Sequence, residues 1–193
     1  MSKFLVIAEK PSVAQSYAKN LSAYRREDGY LEGESCIVSW CLGHLAEYAQ
    51  PEEYDPKYEK WQFDDLPILP EVWKLKVSKD KKKQFDVLKG LMNRSDVEYL
   101  VNGCDAGREG ELIFQRVYDL AGCRKPVKRL WISSMEDAAI QKGFQTMKSE
   151  EEYKNLCMAA VCRAQADWLI GMNGTRAYTL SLIHISEPTR LLS

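Results

Sequence analysis

The segment from Val97 to Phe114 reads VEYLVNGCDAGREGELIF, and its character changes halfway along. As far as Gly103 it is apolar and rich in residues that favour strands, and it predicts a buried strand. From Gly107 the apolar residues return at helical spacing, with Ile113, Val117 and Leu120 on one inward face, so a turn and then a helix are expected. Between the two halves lie three carboxylates, Asp105, Glu109 and Glu111, separated by Gly107, Arg108 and Gly110.

The same strand-then-helix pattern recurs outward from this point. Phe4 to Ala8, FLVIA, reads as a second buried strand, and Pro11 with Ser12 opens a helix carrying Val13, Ala14, Tyr17, Ala18 and Leu21 on one face. YLEGESCIVSWCLGHLAEY predicts a hairpin turning near Gly33, followed by a strand ending at Gly43. Residues 50–70 read as a long loop. DKKKQFDVLKGLM has helical spacing at Phe85, Leu88 and Met92. VKRLWIS predicts a third buried strand, and Met135 to Met147 a further helix. Strands alternating with helices imply an α/β domain with a mainly parallel sheet flanked by helices. From about Glu150 the pattern becomes one long amphipathic helix, with Cys157, Val161, Ala164 and Trp168 along a stripe. The expected organisation is an α/β domain over residues 1–150 and the start of a second, helical domain over 151–180.

Bulk properties narrow the possibilities. The chain has 193 residues, 45% of them hydrophobic and 28% charged, with a net charge of −1. Such a chain can bury a core, and any nucleic-acid contact must come from local patches. Two stretches qualify by composition: Lys79, Lys81, Lys82 and Lys83 in KDKKK, and Lys125, Lys128 and Arg129 in KPVKR. Solvated faces have the same composition. Six cysteines without a CxxC pair, beside two histidines, argue against zinc and against a disulfide framework. The apolar run at the N-terminus is too short for a signal peptide or a membrane span. A cytoplasmic protein with reduced thiols is expected.

In open α/β sheets, ligands bind at the carboxyl ends of strands. Glu9 follows the first strand directly, and Asp105 and Glu109 follow the strand that ends at Gly103. Neighbouring parallel strands lie about 4.8 Å apart, so these acids converge if their strands are adjacent. Converging carboxylates repel, and a hard cation such as magnesium relieves the repulsion. Lys10 and Arg108 would then hold a phosphate beside it. Two bland readings stand alongside. Glu109 and Glu111 suit a helix N-terminus through its dipole alone, and Asp105 suits a helix cap.

Taken together, AEKPS after the first strand, CLGHL after the hairpin, DAGREGELIF after a later strand, and CRAQADWLIGMNGTRAYTL near the end resemble type IA DNA topoisomerases, most closely the topoisomerase III branch. The first three lie in the family's Toprim domain, a Rossmann-like fold, and the last resembles the start of the helical domain lining a single-strand DNA groove. The resemblance implies Mg²⁺ as cofactor, held by Glu9, Asp105 and Glu109, with Glu111 close by as a secondary candidate. The family's acidic pattern is D-x-D-x-E; here Gly107 stands at its middle acid, which favours one bound metal over two. Lys10 matches a lysine that assists charge stabilisation or proton transfer, so Glu9 and Lys10 form the implied catalytic pair. Arg108 either contacts the phosphate or pairs with Glu111.

The resemblance further implies DNA-binding roles for His44, Arg163, Asp167 and Arg176, with DNA, preferentially single-stranded, as partner. Arg163 and Asp167 equally suit a surface ion pair. Trp168 either stacks on a base or belongs to the core. Family members cut one strand with a tyrosine, pass another strand and reseal without ATP. Their tyrosine sits in a later domain within a stretch like YPRT, and no such stretch occurs here. The fragment alone is therefore expected to be inactive, and a nucleoid-associated cytoplasmic location is implied for its parent. SLIHISEPTRLLS, residues 181–193, does not continue the family pattern and reads as a non-native tail. Two further readings remain: a free-standing Toprim nuclease or primase-like protein, and a non-catalytic nucleic-acid-binding module.

Overall fold

The computed structural model describes residues 2–186. In chain order the elements are β1 (Lys3–Ala8), α1 (Pro11–Asn20), β2 (Arg25–Glu27), β3 (Tyr30–Glu32), β4 (Cys36–Trp40), β5 (Ala46–Tyr48), α2 (Pro51–Tyr54), β6 (Leu75–Val77), α3 (Lys82–Met92), β7 (Val97–Gly103), α4 (Arg108–Ala121), β8 (Val127–Arg129), α5 (Asp137–Gln145), β9 (Lys148–Ser149) and α6 (Lys154–Ser186). Short 3₁₀ turns fall at Pro56–Glu59, Phe63–Asp65, Lys79–Lys81 and Glu150–Tyr153.

Seven strands form one sheet in the order β2-β3-β4-β1-β7-β8-β9. Its centre is parallel: β1 pairs with β4 and β7, and β7 with β8. Its margins are antiparallel, through the β2–β3, β3–β4 and β8–β9 pairs. The sheet is thus mixed, with the expected parallel arrangement confined to the four inner strands. The reason is local. Short turns fold β2 onto β3 and, at Gly33, β3 onto β4 as hairpins, and antiparallel neighbours can be joined this way without a crossover; β9 returns antiparallel to β8 after α5.

Alternation along β1 divides the core into two layers. Leu5 and Ile7 pack with Ile37, Leu88, Met92, Phe114 and Val117, under α3 and α4. Val6 and Ala8 pack with Val38, Val101, Ala14, Tyr17 and Ile140, under α1 and α5. A strand buried on both faces needs apolar residues at every position, which explains why FLVIA carries no polar residue.

By contacts the chain divides into two compact units, one of residues 1–47 and 75–161, the other of 48–74 and 162–193. The first contains the seven-stranded sheet. In the second, residues 50–70 are not the structureless loop expected from their proline and acidic content; they hold α2 and two 3₁₀ turns and pack on the later part of α6. There Trp168 is buried, donates from Nε1 to the Ala49 carbonyl at 3.0 Å, and meets Tyr54 and Trp73 edge-on. Asn173 accepts from the Ile68 amide at 2.5 Å and donates to the Ile68 carbonyl at 3.0 Å.

Several expected boundaries shift, the helix over 135–147 shortening to Asp137–Gln145 and the long helix starting at Lys154 rather than Glu150. The strand after the hairpin stops at Trp40 rather than Gly43, VKRLWIS contributes only Val127–Arg129 to the sheet, and α6 continues through Ser186. The last seven residues of the proposed tail lie outside the described residues.

Candidate metal centre

Glu9 and Asp105 come together because β1 and β7 are adjacent, parallel and in register at Ala8 and Gly103. Both strands therefore end on the same edge, one or two residues before their carboxylates. β4 ends there too, and the chain after it bends back: the Cys41 amide bonds the Ala8 carbonyl at 2.7 Å, and the Gly43 amide bonds the Glu9 carbonyl at 3.3 Å. Gly43 takes a left-handed φ of +66°, a conformation that favours glycine. This turn delivers His44 to α4, where its Nε2 hydrogen-bonds the Glu109 carboxylate. Lys81 Nζ secures the loop by donating to the His44 carbonyl at 2.8 Å.

The carboxylates differ in surroundings. Glu9 is buried at 7% exposure. Its Oε1 lies 3.3 Å from Lys10 Nζ, and its buried Oε2 has no hydrogen-bond partner. Such an orphaned carboxylate oxygen is unusual and calls for a missing partner. Asp105 is exposed, and Glu109 has 68% of its side chain exposed. Among the described residues, no group of three or more His, Cys, Asp or Glu side chains is drawn together as a finished metal cage. The donor chemistry nevertheless fits a magnesium ion, which takes oxygen ligands and keeps several waters. The unpartnered Glu9 Oε2 and the exposed carboxylates of Asp105 and Glu109 are oxygen donors of that kind.

Residues 4–135 match the Toprim domain family. This chain belongs to that family. Among its relatives, DNA topoisomerase 3 of Bacillus subtilis (strain 168) is 50% identical over 195 residues, covering 98% of this chain and 27% of the relative. DNA topoisomerase 3 of Bacillus cereus (strain ATCC 14579) is 51% identical over 179 residues, covering 93% of this chain and 25% of the relative. A full-length topoisomerase I from Thermotoga maritima matches 75% of this chain and 21% of its own, at 20% identity and a TM-score of 0.48. The chain spans about a quarter of the length of the curated relatives it matches.

Within the Toprim domain, Glu9, Lys10, Asp105, Arg108, Glu109 and His44 all fall at the carboxyl edge of the parallel strands. Glu111 does not join them. It is 2% exposed, on the buried side of α4, where its Oε1 accepts from Arg129 Nε at 2.6 Å and its Oε2 from Asn102 Nδ2 at 3.3 Å. A carboxylate so engaged has little left for a cation. The choice left open for Arg108 is narrowed accordingly: Glu111 pairs with Arg129, and Arg108 stands exposed at the start of α4.

Arg176 also departs from expectation. It is 5% exposed, donates to the Tyr58 carbonyl at 2.7 Å, approaches Glu52 at 3.8 Å and lies over the Trp61 ring. Its guanidinium is thus occupied inside its own unit. Arg163 and Asp167 form the exposed i,i+4 pair at 3.6 Å, and Trp168 is core.

Sequence reasoning missed Arg129, counted above with the basic KPVKR stretch. It is 1% exposed and among the most deeply buried side chains of the chain. Period-two alternation was the available signal: Val127 and Arg129 share a face, Lys128 the opposite one, and Val127 is plainly apolar.

Proposed function

We propose that this chain is the magnesium-binding N-terminal part of a type IA DNA topoisomerase, acting on DNA with single-strand preference and without ATP. The supporting observation is the parallel register of β1 and β7, which sets buried Glu9 with its unpartnered Oε2 beside the Asp105–Glu109 turn. The similarity of the chain to proteins named DNA topoisomerase 3 supports the reaction class.

In this reading Glu9, Asp105 and Glu109 would hold one magnesium ion, which would supply positive charge to a phosphate where a strand is cut. Lys10, an exposed side chain whose ammonium sits beside Glu9, would supply positive charge or a proton to that phosphate. Arg108 serves the same phosphate from the first turn of α4, where the helix dipole also favours an anion. Glu109, which hydrogen-bonds His44, would serve as the third ligand, and His44 beside it would contribute to DNA binding. Arg163 and Asp167 contribute to a groove for the strand; Arg176 serves it by fixing the packing around Tyr58 and Trp61. The attacking tyrosine belongs to the part of the enzyme beyond this quarter. The parent's location is the nucleoid; among the described residues, no helix is long and apolar enough to cross a membrane.

Titration calorimetry with magnesium tests the site. The chain is expected to bind magnesium weakly, and Asp105→Asn to abolish the heat signal; unchanged binding in that variant overturns the assignment. The same protein should leave supercoiled plasmid unrelaxed. Magnesium-dependent nicking by the chain alone would instead support a free-standing nuclease.

A further inference from the structure

Arg129 makes more contacts than charge neutralisation requires. Its Nε donates to Glu111. Its Nη1 donates to the carbonyls of Asn102 at 3.0 Å, Cys104 at 2.7 Å and Leu130 at 2.9 Å. Its Nη2 donates to the Asp105 carbonyl at 2.7 Å. Three of these carbonyls belong to the end of β7 and the turn that carries Asp105. Asn102 reinforces the same turn, donating to Glu111 and accepting from the Cys104 amide at 3.2 Å. The first turn of α4 also packs closely on the Asp105 peptide: a Cβ added at Gly110 would lie 2.1 Å from the Asp105 carbonyl oxygen. The Asp105 backbone is therefore held by both a buried guanidinium and the first turn of a helix.

We propose that the Arg129–Glu111 pair is a positioning device for the metal centre: it fixes the Asp105 peptide so that the Asp105 and Glu109 carboxylates face Glu9. The proposal rests on the reading of those three acids as magnesium ligands. The physical case is one of donor geometry. A guanidinium presents five N–H donors in a rigid fork, which here serve four carbonyls and a carboxylate from one point, with one Nη1 hydrogen shared between two carbonyls. Lysine keeps the charge but has three donors on a flexible stem. Groups lying behind metal ligands, by holding their orientation, typically change metal affinity by about 10–100-fold when removed. Glu111 completes the device by keeping the buried cation paired.

The test uses the whole chain in five forms: unsubstituted, Arg129→Lys, Glu111→Gln, Asp105→Asn and Glu32→Gln. Magnesium affinity is measured by calorimetry well below each protein's melting temperature, beside circular dichroism and thermal unfolding. Arg129→Lys is expected to stay folded with a lower melting temperature and magnesium binding weakened about 10-fold or more. Glu111→Gln, which keeps the amide-sized side chain and loses the charge, should weaken binding in the same direction by a smaller factor. It carries the test alone if Arg129→Lys does not fold. Glu32→Gln removes a buried carboxylate at the opposite end of β1, and should lower the melting temperature with magnesium affinity unchanged. That separates positioning from general destabilisation. If the folded Arg129 and Glu111 variants bind magnesium as the unsubstituted chain does, while Asp105→Asn abolishes binding, the positioning role is overturned and the metal site stands. If the unsubstituted chain binds no magnesium, or Asp105→Asn binds normally, the metal reading falls and takes this proposal with it.

Discussion

Gly107 and Gly110 stand three residues apart and meet different demands. At Gly110 the helix comes against the Asp105 peptide so closely that no side chain fits. Gly107 has a φ of 165°, extended backbone open to any residue, and nothing within 4 Å of an added Cβ. Gly110→Ala is therefore expected to push the Asp105 turn aside, costing about 1–3 kcal/mol of stability as an overpacked contact and weakening magnesium binding. Gly107→Asp should fold as the unsubstituted chain does and bind magnesium more tightly, since it adds an oxygen donor to an acidic site without strain. Calorimetry on the two variants checks both. Equal affinities would show that the turn neither transmits displacement to Asp105 nor admits a further ligand at residue 107. From sequence, both glycines suggest close backbone approach; only coordinates separate the one that is sterically required from the one that is not.

At the scale of elements, the adjacency of β1 and β7 decides the site, and a charged cluster secures the far end of the same strands. Glu32 on β3 is 4% exposed and receives Lys3 from β1 at 2.6 Å, Arg94 from the α3–β7 turn at 3.0 Å, and Arg25 from β2. Burial alone would raise its carboxyl, but hydrogen bonds from Lys3 and Arg94 outweigh that and hold it down to about 2. A carboxyl depressed in the folded state adds stability at pH above its ordinary value of 4.5, and that stability is lost as pH falls toward 2. Glu32→Gln should cost about 2–3 kcal/mol at pH 6. The gap to the unsubstituted chain should shrink as pH drops from about 4.5 to about 2, a convergence that thermal unfolding across that range would detect; a gap constant with pH would mean the pairing does not hold the carboxyl down.

The sequence made β1, β7 and α4 legible because their apolar patterns are unambiguous and their ends are marked, by Pro11 after β1 and by Gly103, Gly107 and Gly122 around β7 and α4. It did not make the Glu32 cluster or the Arg129–Glu111 pair legible. A buried charge looks like a surface charge until its partner is known, and these partners lie 29 and 18 residues away. For the same reason Arg176 and Glu111 read as candidates for ligand contact. In the folded chain each is already satisfied by groups of its own unit.

For the molecule as a whole, the chain leaves the sheet-containing unit at Tyr48, returns at Leu75, and leaves again at Cys162. The contact between residues 48–74 and α6 was hidden in the sequence because it joins segments about a hundred residues apart through a few aromatic and amide groups. Trp168 is the clearest of these. Its ring meets Tyr54 and Trp73, and its indole N–H satisfies the Ala49 carbonyl. All of those partners belong to the second unit, whereas Glu9, Asp105 and Glu109 belong to the first. Trp168→Ala should therefore cost about 3–5 kcal/mol of local stability and expose backbone amides of residues 48–74 to hydrogen exchange. Magnesium affinity should not change, because Ala49, Tyr54 and Trp73 lie in the second unit and the three carboxylates in the first. Hydrogen exchange read by mass spectrometry, beside calorimetry on the same variant, checks both halves. Faster exchange confined to 48–74 and the later half of α6, with affinity intact, would show that the metal centre depends on the sheet unit alone. A fall in affinity would mean that its carboxylates also need the packing around Trp168 to hold their places.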